Sequence, residues 1–322
     1  MNFWVRRFSA IYVLAMLLTV SFISEAWAEK KIGVFLSTQE TRLIEASEGM
    51  MAQLAKEGFG PPEVSFVTEN AEGNKAKALE IAKKFAEAKY DLILVIGTPA
   101  TMAAANAIKD TPIVFSVVYD PVEAKIAASW ESSGNNTTGI SGKVPMSQLV
   151  DRLKMLAPVK TLGIAYTPDE KHSEIQFKEM QAAATQAQIK VFPILLNAKT
   201  DAASILPNVL PRVDAIYLTG SSIVDGSLDT IVSAAAKARV ITLSYARDQV
   251  EKGVLFGMVT NPQLMGELAG SKAAQVLKGA APSSIPIEMQ KNFDVLLNAK
   301  TVKASGIDIP AAFRQSVTKE IQ

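Results

Sequence analysis

The 322-residue sequence contains no cysteine and a single histidine, His172. Without cysteine there can be no disulfide, no thiolate nucleophile and no cysteine-based metal site. A single histidine also excludes a multi-histidine metal centre. Lysine and arginine number 33 against 32 for aspartate and glutamate, so the net charge is +1. This balance provides no basic face for nucleic acid, and we expect no nucleic-acid partner, no metal and no other cofactor.

Motifs for nucleotide binding and for serine hydrolysis are absent as well. No GxGxxG follows a predicted strand, and neither GxxxxGK[ST] nor GxSxG occurs. A Ser–His–Asp triad would need His172, whose polar surroundings favour a surface or ligand-contact role. Asp120 and Glu170 could form a carboxylate pair, but such a pair suits an amine-recognising pocket equally well. We therefore predict that the protein is not an enzyme.

The first 28 residues differ from the rest of the chain. Arg6 and Arg7 precede an apolar stretch at 11–23, and Ala26 and Ala28 then form an A-x-A arrangement. This is the order of a secretory signal peptide. The alternative is an uncleaved anchor, although the apolar stretch is short against the roughly 20 residues of a membrane span. We predict cleavage, export to the periplasm and a mature chain that starts near Glu29.

From residue 31 onward, apolar runs alternate with stretches in which apolar residues recur at helical spacing. The first runs are KIGVFLS, VSFVTE, DLILVIG and TPIVFSVVY. This alternation predicts βαβ units and a parallel sheet that is covered on both faces. The stretch SWESSGNNTTGISG at 129–142 has neither period and is the best boundary candidate. A second α/β half of similar length follows it, with the runs TLGIAY, KVFPILL, VDAIYLTG and VITLSY.

Small polar residues follow almost every predicted strand, where ligands of open α/β sheets bind. Thr98 is predicted to cap a helix whose first residue is Pro99, and the free N–H groups there favour a carboxylate. Thr98 and Ser221 could also do no more than cap their own helices. Tyr119 and Tyr245 could stack on a ligand ring or pack in a hinge. The candidate ligand-binding residues are Gln39, Thr98, Ala100, Thr101, Tyr119, Asp120, Thr137, Glu170, Ser173, Gly220, Ser221 and Tyr245.

The mature chain resembles the ABC-transporter substrate-binding family whose characterised members bind tryptophan or phenylalanine. The matching stretches, in order, are IGTPATMAAA, TPIVFSVVYDPVEAKI, NNTTGISG, TLGIAYTPDEKHSE, VDAIYLTGSSIV and IPIEMQKNFDVLLNAKTVKASGIDIP. The resemblance implies a type I periplasmic-binding-protein fold, with two doubly wound parallel-sheet α/β lobes joined by a hinge. The implied division is a signal peptide at 1–28, lobe 1 at 29–142 and about 261–282, and lobe 2 at 143–260 and about 283–322.

The resemblance also implies roles for particular residues. The implied carboxylate-binding positions are Thr98, Ala100 and Thr101, and the other implied ligand positions are Asp120, Thr137, Glu170 and Ser173. One departure concerns Gly220 and Ser221, which stand where the family commonly has an Asp-Asn pair. That Asp would balance an α-amino group, since an ammonium buried without a partner is costly. Either Asp120 or Glu170 alone takes the amine, or the ligand is not an α-amino acid.

The leading hypothesis is an extracytoplasmic solute-binding protein of an ABC importer. It would be a monomer that captures a small carboxylate or amino-acid-like ligand between its lobes and presents it to a permease in the inner membrane. The alternative is the ligand-binding component of a signalling receptor, with a sensor kinase or chemoreceptor as partner. An exported hydrolase or isomerase that uses Asp120 and Glu170 is the least favoured hypothesis.

Overall fold

The computed structural model describes residues 29–168 and 170–322, and the predicted signal peptide lies outside them. Two separate β-sheets organise this part of the chain. We call the part of the chain around the first sheet lobe 1 and the part around the second lobe 2. No helix in these ranges has both the length and the apolar character that crossing a membrane requires.

Lobe 1 contains a six-stranded sheet in which every strand pair is parallel. Its strands, in the order β11-β5-β4-β3-β1-β2, are β1 (Lys30–Leu36), β2 (Val64–Asn70), β3 (Leu92–Ile96), β4 (Ile113–Val118), β5 (Thr137–Ser141) and β11 (Glu288–Met289). Its helices are α1 (Thr41–Lys56), α2 (Lys75–Glu87), α3 (Thr98–Ala107) and α10 (Pro262–Leu277). All five residues of β3 are buried, as expected for a parallel strand that is covered on both faces.

Lobe 2 contains a seven-stranded sheet in which the pair β10–β12 is antiparallel and every other strand pair is parallel. Its strands, in the order β13-β12-β10-β9-β8-β6-β7, are β6 (Thr161–Tyr166), β7 (Lys190–Leu195), β8 (Ala215–Leu218), β9 (Ile241–Ser244), β10 (Phe256–Val259), β12 (Asp294–Asn298) and β13 (Lys319–Ile321). Its helices are α4 (Met146–Leu156), α5 (Lys171–Gln186), α6 (Asp201–Val209), α7 (Ser222–Gly226), α8 (Leu228–Ala238), α9 (Arg247–Glu251), α11 (Ala299–Ser305) and α12 (Ala311–Ser316).

The helices cover the sheets through the apolar stripes that the helical spacing predicts. In α1, Leu43, Met50 and Leu54 are at most 2% exposed. Burying a side chain of this size stabilises a fold by roughly 1.5–3 kcal/mol. Ile44 in the same helix is 38% exposed, because it lies beside the buried stripe and not on it.

The chain crosses between the sheets at 142–145, 260–261 and 290–293. The second crossing brings α10 back to lobe 1, where Met265 and Ala269 share a core cluster with Ala46 of α1. The third crossing comes later than the predicted division at 283. Strand β11 still pairs with β5, with Glu288 opposite Ile140, so it belongs to the lobe 1 sheet.

The boundary stretch at 129–142 contains β5, for which its sequence gives no strand period. All five residues of β5 are buried although they are Thr, Gly, Ile and Ser. The apolar contact comes from a neighbouring strand, because a Cβ on Gly139 would lie only 2.5 Å from Cδ2 of Phe115. A strand of small and polar residues that is buried by the side chains of a neighbouring strand has no apolar run of its own. The sequence pattern therefore predicts a loop here.

Candidate functional site

The carboxyl ends of the two sheets face each other across a cleft. Tyr119 follows β4 in lobe 1, whereas His172 and Tyr245 follow β6 and β9 in lobe 2. The Tyr119 ring packs edge-to-face on both, with centroid distances of 4.9 Å to His172 and 5.6 Å to Tyr245. We use the term cleft for the region bordered by these three rings and by the strand ends around them.

The start of α3 differs from its prediction. The N-cap is Gly97, with φ at 95°, and Thr98 is the first helical residue, so the prediction of Thr98 as the cap is wrong. Glycine is needed here because of that positive φ and because a Cβ would lie 2.6 Å from the Ser37 hydroxyl. The Thr98 hydroxyl instead accepts a long hydrogen bond, at 3.5 Å, from the Tyr119 N–H.

Two further candidates in α3 have partners inside the protein. The Ala100 N–H donates to the Ser37 hydroxyl at 3.0 Å, so Ser37 satisfies a helix N–H that a ligand could otherwise take. The Thr101 hydroxyl donates to the Gly97 carbonyl at 2.8 Å. Both residues are fully buried. Of the three residues implied to bind a carboxylate, only Thr98 keeps part of its surface exposed.

Asp120 belongs to an ionic cluster that joins the two lobes. Its Oδ1 accepts the N–H groups of Val122 and Glu123, each at 3.1 Å, and its Oδ2 lies 2.7 Å from Lys143 Nζ. Lys143 also lies 2.5 Å from Glu179 Oε1 on α5 of lobe 2. We call Tyr119, Asp120, Lys143 and Glu179 the bridging cluster, since the Tyr119 hydroxyl donates to Glu179 Oε2 at 2.7 Å.

The charge states in the bridging cluster follow from its geometry. Burial by itself lowers the pKa of Lys143, but the hydrogen bonds with Asp120 and Glu179 outweigh it and raise the pKa above 10.5. Burial raises the pKa of Tyr119 far above its ordinary value, and the neighbouring Tyr217 and Glu179 add to the shift. Lys143 is therefore a cation and Tyr119 a neutral donor. Sequence analysis missed Lys143 and Glu179, because neither belongs to a motif.

Glu170, the other carboxylate proposed for an amine, also has partners inside the protein. Its Oε1 accepts the Ser222 hydroxyl at 2.6 Å and its Oε2 accepts the Ser222 N–H at 3.1 Å. Ser222 is the first residue of α7, so the carboxylate lies at the positive end of a short helix. Asp120 and Glu170 are thus held by separate sets of partners.

Four hydroxyl side chains at the strand ends of lobe 2 bond to one another. Ser173 accepts the Thr167 N–H at 2.9 Å and lies 2.6 Å from the Thr219 hydroxyl. Ser221 lies 2.5 Å from the Thr167 hydroxyl and accepts two N–H groups at the start of α7, which is the capping role predicted as one of its two interpretations. We call Thr167, Ser173, Thr219 and Ser221 the hydroxyl network.

A second chain of hydrogen bonds connects Gly220 to Tyr245. Gln176, which is fully buried, accepts the Gly220 N–H at 2.8 Å and places its Nε2 2.8 Å from His172 Nε2. The Tyr245 hydroxyl lies 3.0 Å from the same His172 nitrogen. A Cβ on Gly220 would lie 2.4 Å from that hydroxyl, so Tyr245 occupies the space of a side chain at position 220.

His172 and Tyr245 are both neutral at physiological pH. Protein atoms around the His172 ring desolvate it and lower its pKa to about 4, and the positive charge of Arg42 adds to the shift. Burial raises the pKa of Tyr245 to about 12. Gln176 was missed by sequence analysis, although its position four residues after His172 places both side chains on one face of α5.

Two predicted site residues are not members of these clusters. Gln39 is exposed in the loop after β1. Thr137 is the first residue of β5, whereas the cleft lies beyond its last residue, Ser141. These two residues are roughly 13 Å apart along the strand. The prediction of Thr137 as a cleft residue is therefore corrected. Within 29–168 and 170–322, no group of three or more acidic or histidine side chains could hold a metal ion.

Comparisons with known proteins agree with this geometry. The model of the family described as ABC transporter substrate binding protein matches residues 31–321. A tyrosine-binding protein of Clostridioides difficile is 26% identical over 278 residues, which cover 86% of this chain and 81% of the relative.

Two solved structures are similar over nearly the whole of both chains. A domain from Streptococcus pneumoniae in complex with L-Trp is 29% identical, with a TM-score of 0.78 and coverage of 91% of this chain and 100% of that one. A ligand-free, open substrate-binding protein with adhesive properties from Clostridium difficile is 27% identical, with a TM-score of 0.84 and coverage of 91% and 99%. The predicted type I periplasmic binding fold is confirmed. The family and these relatives are solute-binding proteins, which confirms the prediction of a non-enzyme.

Proposed function

The chain belongs to the ABC transporter substrate-binding protein family, and from this premise we propose that it captures a solute between its lobes and delivers it to an ABC permease for import. The observation that carries the proposal is the facing pair of strand ends, where Tyr119 of lobe 1 touches His172 and Tyr245 of lobe 2. A ligand that contacts both edges stabilises the closed arrangement, because it binds that arrangement more tightly than the open one.

The ligand is a small carboxylate with an aromatic or amino-acid-like body. In this proposal the carboxylate lies at the start of α3 near Thr98, where the helix dipole favours negative charge. Tyr245 is half-buried and offers ring surface against which an aromatic group packs, whereas the buried Tyr119 ring packs against Tyr245 and His172. The relatives that bind tyrosine and L-Trp support this ligand class.

The site of action is the periplasm, which the protein reaches as a monomer after removal of residues 1–28. The charged start, apolar stretch and A-x-A arrangement of these residues support export. A permease in the inner membrane is then the partner, as for other solute-binding components of ABC importers.

The first test is a thermal-shift and calorimetric screen of untagged protein spanning 29–322. The panel contains L-tryptophan, L-tyrosine and L-phenylalanine, then indole-3-propionate, which lacks the amine, and tryptamine, which lacks the carboxylate. A ligand at 100 times its Kd adds about 2.7 kcal/mol to the free energy of unfolding, enough to raise the melting temperature visibly. We expect carboxylate-bearing compounds to raise it and tryptamine to leave it unchanged.

A matched pair of variants locates the carboxylate. Thr98→Val removes the hydroxyl at the start of α3, and Thr185→Val makes the same change at an exposed position of α5. We expect only the first to weaken binding of the panel ligand. Binding of tryptamine in preference to the acids would contradict the proposed ligand class, and uptake of labelled ligand that is unchanged in cells lacking the gene would contradict import.

A further inference from the structure

The orientation of the Gln176 amide is fixed by its neighbour. The Gly220 N–H can only donate a hydrogen bond, so the Gln176 atom that faces it at 2.8 Å is the carbonyl oxygen Oε1. The amide nitrogen Nε2 therefore faces the other way, toward His172. Gln176 is fully buried in α5, so its amide has no solvent-exposed alternative.

This orientation determines where His172 carries its proton. Gln176 Nε2 has only protons to offer, so His172 Nε2, at 2.8 Å, acts as the acceptor and carries no hydrogen. A neutral imidazole with an unprotonated Nε2 has its proton on Nδ1. The low pKa of His172, about 4, agrees with a ring that stays neutral.

The Nδ1–H group is available to a ligand in the cleft. Among the side chains that the structure describes, those of 29–168, 170 and 172–322, none bonds to Nδ1, and His172 keeps exposed surface. The ring packs against Tyr119 of lobe 1 and near Tyr245. Among the described residues, the charged groups that act on it are Arg42, from the start of α1 in lobe 1, and Glu170, whose carboxylate is bonded to Ser222.

We propose that His172 is a ligand-binding residue whose Nδ1–H donates to an oxygen atom of the solute, and that Gln176 is the positioning residue that keeps the proton on Nδ1. The inference rests on the proposed function, since it requires a solute in the cleft. It adds the chemistry of the lobe 2 side: the carboxylate that lies near Thr98 in lobe 1 presents one of its oxygens to His172, because the Nδ1–H group donates a proton and cannot accept one from an ammonium group.

The position of the proton can be measured without a ligand. His172 is the only histidine, so the imidazole ¹⁵N spectrum of untagged, ¹⁵N-labelled protein contains a single residue. We expect a protonated Nδ1 and an unprotonated Nε2 at pH 7. In Gln176→Glu, a carboxylate oxygen replaces the amide nitrogen, and we expect Nε2 to become protonated. A wild-type spectrum with the proton on Nε2 would overturn the proposal.

Binding tests the ligand role with a conservative and a disruptive variant. His172→Asn keeps an N–H near the position of Nδ1, whereas His172→Leu keeps only the volume. The probes are L-tryptophan and indole-3-propionate, with tryptamine as the compound that lacks an acceptor carboxylate. We expect His172→Leu to raise the Kd of the acids roughly tenfold to a hundredfold, as for the loss of a hydrogen bond to a charged group. His172→Asn should stay within about threefold of wild type by the same conversion.

The outcomes separate the two proposals. An unchanged Kd in His172→Leu for an acid that binds wild type would overturn the role of His172 and leave solute capture intact. Failure of the wild type to bind any of the three probes would count against the proposed ligand class, and the ligand-free spectrum would still decide the position of the proton. Circular dichroism of each variant confirms that it is folded.

Discussion

The two lobes border the same cleft with different chemistry. Lobe 1 contributes charge, because Asp120 pairs with Lys143 of the first crossing, which in turn pairs with Glu179 of lobe 2. Lobe 2 contributes neutral hydroxyl and amide groups that bond mainly to one another, as Ser173 does with Thr219. The difference indicates that the lobe 2 edge is fixed by its own internal bonds. The lobe 1 edge depends on contacts that it makes with the other lobe.

The packing of helices and strands behind the cleft also differs between the two lobes. In lobe 1, α1 and α10 approach so closely that a Cβ on Gly266 would lie 2.1 Å from the backbone oxygen of Ala46. In lobe 2, the Cβ of Gly163 would meet the flexible end of the Ile194 side chain at 2.8 Å. Backbone cannot move aside as a side-chain end can, so position 266 is less tolerant of an added methyl group than position 163.

The largest effect is expected at this helix contact. Gly266→Ala should force α1 and α10 apart and reduce the free energy of unfolding by about 3 kcal/mol, the upper part of the range for overpacking. Urea unfolding measures the loss. Gly142→Ala is the control, because its Cβ would meet nothing closer than Met265 Cε at 3.4 Å. Equal stability of the two variants would show that the helices adjust freely.

An intermediate effect is expected in the bridging cluster. Lys143→Met leaves the carboxylates of Asp120 and Glu179 without their cation, and we expect a loss of about 2 kcal/mol, less than for a fully buried pair because the lysine is 23% exposed. Lys252→Met is the control, since its partner Asp248 lies 4.0 Å away on the surface. The control should change stability by less than about 0.5 kcal/mol.

The stability difference between wild type and Lys143→Met has a predictable pH dependence. Because the folded-state pKa of Lys143 is raised above 10.5, its contribution is fully present below pH 10.5 and is lost as the pH rises through the raised value. Lys143→Met lacks this contribution at every pH. The stability curves of wild type and variant should therefore approach each other above pH 10.5. Parallel curves would show that the lysine acts through packing alone.

The smallest effect is expected in the hydroxyl network. Ser221→Ala removes the cap of α7 and the partner of the Thr167 hydroxyl, and we expect a loss of about 1 kcal/mol. Ser204→Ala is the control, because that exposed hydroxyl donates to the Asp201 carbonyl within its own helix. A loss as large as that of Lys143→Met would contradict the view that lobe 2 distributes its bonds over several groups.

Sequence reasoning placed most strands and helices and identified the strand ends. It was poor at identifying which side chains bond to one another. It named Tyr119, Asp120 and Tyr245, which all border the cleft. It missed Glu179, which lies 60 residues from Tyr119 in the sequence and meets it only because α5 packs beside the crossing between lobes. It also placed Thr137 in the site, because the resemblance assigns its motif a ligand role, and a motif does not show at which end of a strand its residues lie.

The sequence by itself determined the alternation of strands and helices, because apolar periodicity is a local property of each segment. It also determined the neutral charge balance, the lack of cysteine and the presence of one histidine. Only the tertiary structure decided which polar groups meet, since those contacts join segments far apart in the chain. The proton of His172 is an example: its place on Nδ1 follows from Gln176, whose orientation is set by the backbone of Gly220, 44 residues further along.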